Sequence, residues 1–216
     1  MGDHVVAAIP AGDRGFAYGD GLFETMRVHA GGVPWWDAHW RRLAHGAARL
    51  GIGLPAPERV RAEVATLLDG VDAAVLKLVV SRGAGGRGYA AEAASVPTWT
   101  LGCHAVPPPL PAAGITLRWC ETRLAMQPAL AGLKHCNRLE QVLARAEWRD
   151  EAIHEGLLLD AAGRVACATA ANVFARIDGR WLTPKVDECG VAGVARTWVL
   201  ANVAGAAEAT LLPGDL

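Results

Sequence analysis

The chain has 216 residues, enough for one large domain or two small ones and for a sizeable buried core. A formal net charge of -1 offers no basic field for nucleic acid, and although 52% of the residues are hydrophobic, no apolar run approaches the roughly 20 residues of a membrane span. The opening "MGDHVVAAIPAGDRG" lacks the basic start and long apolar core of a signal peptide, and Val6 stands where a myristoylation motif needs Ser or Thr.

The first half reads as α+β. "GLFETMRVHAGGVPWW" is two strand-like runs around a Gly-Gly turn. From Asp37 to Leu50, Trp40, Leu43, Ala47 and Leu50 recur at helical spacing, with Asp37 as the expected N-cap. Pro57 opens a second predicted helix through Val60, Val64 and Leu67 or Leu68. "AAVLKLVVS" (73–81) and "VPTWTLGCHAV" are strand candidates. In "VPPPLPAAG" three consecutive prolines cannot donate backbone hydrogen bonds and favour an extended spacer. We therefore expect a small N-terminal domain over 1–105, a linker over 106–113 and a second domain over 114–216. That second part opens with the strand "GITLRWC" and continues with a helix from Asn137 to Trp148, with Leu139, Val142, Leu143 and Ala146 on one face. Short strands follow at "GLLLD", "RVACA", "NVFARI" and "RWLTP". A last helix starts near Val194, and "ATLLPGDL" suggests a final strand. The five cysteines (Cys103, Cys120, Cys136, Cys167 and Cys189) are odd in number and have no C-x-x-C spacing. This argues against a disulfide framework or a zinc site and for a reducing cytoplasm.

Four stretches can carry chemistry. "SRGAGGRGY" satisfies G-x-G-x-x-G after a strand, but no helix follows at once and no acid lies near position 105, so a dinucleotide fold is disfavoured. Its Arg82 and Arg87 suit carboxylates, and the alternative is a mobile, solvated loop. "CGVAGVAR" leads small residues into a helix start, whose free N–H groups suit phosphate unless it is a plain loop-to-helix joint. His39 and Arg42 share a helix face, where Arg42 can reach an anion or make a surface salt bridge. Lys134, in "LKHCNRLEQV", is flanked by apolar and small residues. It is either a solvated surface lysine or an amine suited to Schiff-base chemistry.

Taken in order, "DRGFAYGDGLFETMRV", "HWRRL", "LKLVVSRGAGGRGY", "LAGLKHCNRLEQVLARAE", "LLLDAAGRV", "ATAANVF" and "TPKVDECGVAGVAR" resemble the fold-type IV pyridoxal-phosphate enzymes, and within them the 4-amino-4-deoxychorismate lyases. The resemblance covers about residues 13 to 200 and implies a two-domain α+β fold-type IV architecture binding pyridoxal 5'-phosphate. Lys134 matches the lysine that carries the cofactor and then moves the proton. Arg42 matches the phosphate arginine, Gly193, Val194 and Ala195 the backbone cradle for that phosphate, and Asn172 the asparagine beside the pyridine ring. The implied reaction releases pyruvate and 4-aminobenzoate from a dicarboxylate substrate, with Arg87, Arg138 and Arg27 as candidates for its carboxylates. A cytoplasmic homodimer in folate precursor synthesis is expected.

The chain departs from that pattern twice. Cys167 occupies the position of the glutamate that faces the pyridine nitrogen, and a thiol is a weak partner. Losing one charge-assisted hydrogen bond is worth about 1.5–3 kcal/mol, or one to two orders of magnitude in rate. The family also continues well past the last helix. The chain reads as truncated at Leu216, which predicts an exposed sheet edge and apolar surface. Two rivals follow: an amino-acid transaminase of the same fold, branched-chain or D-amino acid, and a non-catalytic, cofactor-binding relative.

Overall fold

The computed structural model describes residues 8–91 and 95–216, so the readings made on residues 1–7 lie outside the described residues. The chain divides into two compact units. One is Met1–Pro107 together with Lys134–Asn137, and the other is Pro108–Leu133 together with Arg138–Leu216. The four residues that begin with Lys134 therefore pack with the first half of the chain, although sequence order puts them in the second.

The first unit is a three-stranded antiparallel sheet in the order β1 (Gly21–Val28), β2 (Ala74–Ser81), β3 (Thr98–His104). Strand alternation decides its faces. Leu22, Glu24, Met26 and Val28 of β1 are buried, as are Ala74, Leu76, Leu78 and Val80 of β2. Against them pack α2 (Trp36–Leu50) and α3 (Pro57–Leu67), which contribute Leu43, Ala47, Val60 and Val64 to one core, joined by Leu68 just past α3. The run "GVPWW" forms no second strand. His29 and Gly32 close a tight bridge, and the chain turns directly into α2. Asp37 is not the N-cap expected of it. The helix starts one residue earlier, and Asp37 instead pairs with Arg61 on the surface at 2.5 Å. A short helix that the periodicity did not reveal, α1 (Arg14–Tyr18), is capped by the Asp13 carboxylate on the N–H groups of Gly15 and Phe16. It ends at Gly19 in the left-handed conformation (φ 66°).

The second unit holds two further three-stranded sheets. In one, β4 (Leu117–Leu124) runs parallel to β5 (Glu155–Asp160), which pairs antiparallel with β6 (Val165–Ala168). In the other, β7 (Ala175–Ile177) pairs with β8 (Arg180–Pro184), and β9 (Ala207–Ala209) returns parallel to β8 after α5 (Val194–Asn202). The helix α4 (Leu139–Arg145) is shorter than expected, and its apolar stripe faces the other way. Leu139, Val142 and Leu143 are 76%, 60% and 62% exposed, whereas Ala144 is fully buried. Seven residues make only about two turns, so the helix cannot carry a full stripe onto the core. Trp148 supplies that packing from beyond the helix end, its indole N–H donating to the Ile153 carbonyl at 3.0 Å. The tail is the three-residue β9 followed by a 3-10 turn at Pro213–Asp215 rather than one longer strand.

Among the described residues no helix is long and apolar enough to cross a membrane, and no group of three or more His, Cys, Asp or Glu can hold a metal ion. All five cysteines are free thiols.

Gly156 sits where β5 passes Trp148, and a Cβ there would meet the indole at 2.8 Å and run into the Cys120 sulfur. Gly156→Ala is therefore expected to lower the stability of the second unit by about 1–3 kcal/mol through overpacking, read as a shift in the urea midpoint.

Candidate active site

Lys134 is placed by backbone pairing. β1 is an edge strand of its sheet, and its outer edge takes up the segment 134–137. The Phe23 N–H donates to the Lys134 carbonyl at 3.0 Å, the Cys136 N–H donates to the Gly21 carbonyl at 2.9 Å, and Leu22 and His135 form an antiparallel bridge. The Asn137 side chain closes the segment by donating to the Gly19 carbonyl at 3.1 Å. These bonds satisfy strand groups that would otherwise be unpaired, and they hold a half-buried Lys134 with its amine 4.2 Å from the centre of the Phe23 ring. Phe23, Thr25 and Arg27 alternate onto the face of β1 opposite the core. Arg27 thus shares the Phe23 face, about 13 Å further along the strand at 3.3 Å per residue.

Arg42 is not the surface salt bridge that its helix position suggested. Its Nε donates to Glu24 at 2.8 Å and its Nη2 to the other oxygen of the same carboxylate, while His39 Nδ1 donates to Glu24 Oε2 at 2.7 Å. The Glu24 side chain is only 1% exposed. Burial on its own pushes this carboxyl up, but the bonds and charges of Arg42 and His39 outweigh it and hold it below the ordinary glutamate value. Sequence reading missed Glu24, although its phase with Leu22, Met26 and Val28 marks it as inward-facing.

Asp20 is a second carboxylate shared by two arginines. Arg14 reaches it at 2.9 Å and Arg82 at 2.8 Å. Burial raises its carboxyl, and Arg82 and Arg14 lower it further than burial raises it. Arg87 is exposed on the glycine-rich loop that follows β2, and Gly83 and Gly88 of that loop take positive φ. Among the described residues the next element after the loop is the strand β3.

In the second unit Asn172 donates to the Val191 carbonyl at 2.9 Å, and a Cβ on Gly193 would run into its Oδ1. Gly193 is the N-cap of α5, and no side chain caps that helix start. The helix is anchored behind by buried Arg196, which donates to the Pro184 carbonyl at 2.8 Å and pairs with Glu208 at 2.5 Å. Gly193–Val194–Ala195 is thus a backbone cradle that requires glycine and presents helix N–H groups, which suits a phosphate. Arg138 donates to the Leu133 carbonyl at 2.8 Å. Cys167 is 7% exposed within the core cluster that includes Cys120, Trp148 and Leu158. Burial pushes its thiol up to about 12, the neighbouring Cys189 adds to this, and Arg138 pulls it back only in part. The side chain is therefore neutral near pH 7 and cannot stand in for a carboxylate. The amine and the cradle fit pyridoxal phosphate, whereas the group expected at the ring nitrogen does not.

Because the folded Glu24 value is depressed, its contribution to stability is present above the ordinary carboxylate range and is lost as pH falls through the folded value. Glu24→Gln is expected to cost about 3–5 kcal/mol near neutral pH by removing the buried carboxylate charge that Arg42 and His39 share. The gap between variant and wild-type urea midpoints should narrow as the pH falls below the ordinary carboxylate range.

A family model described as amino-transferase class IV matches residues 21–216. The aminodeoxychorismate lyase of Vibrio harveyi is 40% identical over 197 residues, a match that covers 89% of this chain and 72% of that protein. The crystal structure of 4-amino-4-deoxychorismate lyase from Pseudomonas aeruginosa superposes with a TM-score of 0.89 at 41% identity, covering 97% of this chain and 80% of that one. A branched-chain amino acid aminotransferase from Escherichia coli superposes at 0.81 with 22% identity, covering 97% of this chain and 74% of that one, a likeness of fold alone. By its sequence and its fold, the chain belongs to the class IV aminotransferase family.

Proposed function

We propose that this protein is a pyridoxal-phosphate-dependent lyase that converts 4-amino-4-deoxychorismate to 4-aminobenzoate and pyruvate. The observation that carries the chemistry is the fixed lysine: the backbone of Lys134 is locked to β1, and its amine lies over the Phe23 ring. The choice of lyase over transaminase is supported by the 40% identity to a protein bearing the lyase name.

In this reading residues 114–216 supply most of the cofactor-binding part, joined to a small domain over 1–105 by the linker 106–113. The uncapped start of α5 at Gly193, Val194 and Ala195 would hold the phosphate; Arg42 is the proposed arginine for it, and Asn172 is the proposed neighbour of the ring. When bound, pyridoxal phosphate supplies an electron sink for the pair left behind when a proton is removed. Lys134 carries the cofactor, and its amine then removes the proton from the substrate carbon that bears the nitrogen. Arg87, Arg138 and Arg27 are the proposed guanidinium partners for the two substrate carboxylates. Cys167, as a neutral thiol, would not give the ring nitrogen an anionic partner. A homodimer working in the cytoplasm completes the proposal. The neutral thiol also favours a second reading, a relative that binds the cofactor without turning the substrate over.

The purified protein is expected to take up pyridoxal phosphate with a visible absorption band, and borohydride should fix the cofactor covalently on the peptide containing Lys134. Lys134→Ala should abolish both the band and 4-aminobenzoate release. Full release by that variant would end the lyase assignment.

Cys167→Glu is expected to raise kcat about 10- to 100-fold if the chemistry persists in handicapped form. Unchanged, absent turnover with the cofactor bound would favour the binding relative.

A further inference from the structure

We propose that Arg14 is a positioning residue: it clamps the glycine-rich loop over 83–90 so that Arg87 is presented in a fixed place to a carboxylate of the substrate. This rests on the reading of Arg87 as a substrate arginine. The sequence left this loop open between a ligand contact and a mobile, solvated segment, and the structure shows it wrapped around a single side chain. Arg14 is 4% exposed, while every residue over 86–90 is exposed. Its guanidinium donates to three successive carbonyls, through Nη1 to Gly88 at 3.0 Å and Ala90 at 3.4 Å and through Nη2 to Tyr89 at 3.0 Å. The remaining direction, Nε, ion-pairs with Asp20 at 2.9 Å, which balances the buried charge.

The near side of the loop is held by backbone. The Arg14 N–H donates to the Gly83 carbonyl at 2.9 Å, and the Gly85 N–H donates to the Gly12 carbonyl at 3.1 Å. Gly85 lies so close to the Arg14 stem that a Cβ there would meet Cδ at 2.9 Å. On the far side the Gly88 N–H donates to the Tyr18 hydroxyl at 3.2 Å, and the Tyr18 ring meets Tyr89 edge-on with centroids 5.6 Å apart. Arg87 is thus bracketed by held residues at 85 and 88, while its own side chain projects into solvent. A planar five-donor fork can satisfy three carbonyls and a carboxylate at once, which a lysine cannot do. Fixing the backbone on both sides of an exposed arginine lowers the ordering cost when it takes a carboxylate.

The test combines kinetics with limited proteolysis on the cofactor-loaded enzyme. Arg87→Ala is expected to raise KM about 10- to 100-fold with kcat little changed, as for the loss of a binding contact. Arg14→Ala should raise KM about 10-fold or more with cofactor affinity unchanged. The double variant should be no worse than Arg87→Ala alone, because Arg14 acts through Arg87. Trypsin should cut after Arg87 at least about 10-fold faster in Arg14→Ala, with cutting after Arg49 and Arg61 unchanged as a control on the rest of the unit. Arg14→Lys should resemble Arg14→Ala. Tyr18→Phe, which keeps the ring and removes only the bond to Gly88, should show a smaller rise in cleavage and serves if the Arg14 variants do not fold. Additive KM effects, or unchanged cleavage after Arg87, would overturn the clamp. A harmless Arg87→Ala in an active enzyme would instead sink the reading of Arg87 on which the proposal rests. A chain with no lyase activity would sink the functional reading and leave cleavage after Arg87 to decide the clamp.

Discussion

The unpaired edge of β1 is the constraint on which the site depends. A strand edge presents N–H and C=O groups that must find partners, and here the partners come from residues more than a hundred positions away. The pairing of Gly21, Leu22 and Phe23 with Lys134, His135 and Cys136 fixes the lysine backbone in register with the strand. A one-residue slip would move the Lys134 side chain to the other face of the strand. The Lys134 backbone is therefore positioned by main-chain hydrogen bonding to a sheet strand.

Around that edge the first unit is organised by carboxylates that each serve more than one cation. Glu24 binds Arg42 and His39, and Asp20 binds Arg14 and Arg82. A buried carboxylate with no partner would be strongly destabilising, and so would a buried guanidinium. Sharing lets one anion neutralise a cation already half out of water while leaving other guanidinium donors to do further work. Arg82 uses them on the Leu50 and Gly51 carbonyls at the end of α2, and Arg14 uses them on the glycine-rich loop. Loop, helix end and short N-terminal helix are thereby tied together through polar atoms.

The second unit follows different physics. Its last helix starts on bare backbone, at a glycine that cannot become alanine without striking Asn172. Its Cys167 lies in apolar packing with Cys120, Trp148 and Leu158. A thiol in such surroundings loses more by giving up its proton than a nearby arginine returns, so it stays neutral. The packing that makes cysteine a comfortable core residue here is what disqualifies it as an electrostatic partner.

The sequence by itself determined the kinds of element and most of their order, because periodicity two in "LFETMRV" and "AVLKLVVS" and periodicity near 3.6 in "HWRRLAHGAARL" are local properties of the chain. Motif order also pointed to the family, to Lys134 and to the small-residue helix start at Gly193. It did not determine which face of a short helix is buried: Leu139, Val142 and Leu143 look like a core stripe and lie in solvent, because a two-turn helix is oriented by its neighbours. It did not separate a surface arginine from the half-buried partner of Glu24, or a mobile glycine loop from one drawn around Arg14. Those distinctions rest on contacts between residues 15 to 76 positions apart. Only the tertiary structure decides them, since burial and hydrogen-bond partnership belong to the folded neighbourhood and not to the residue.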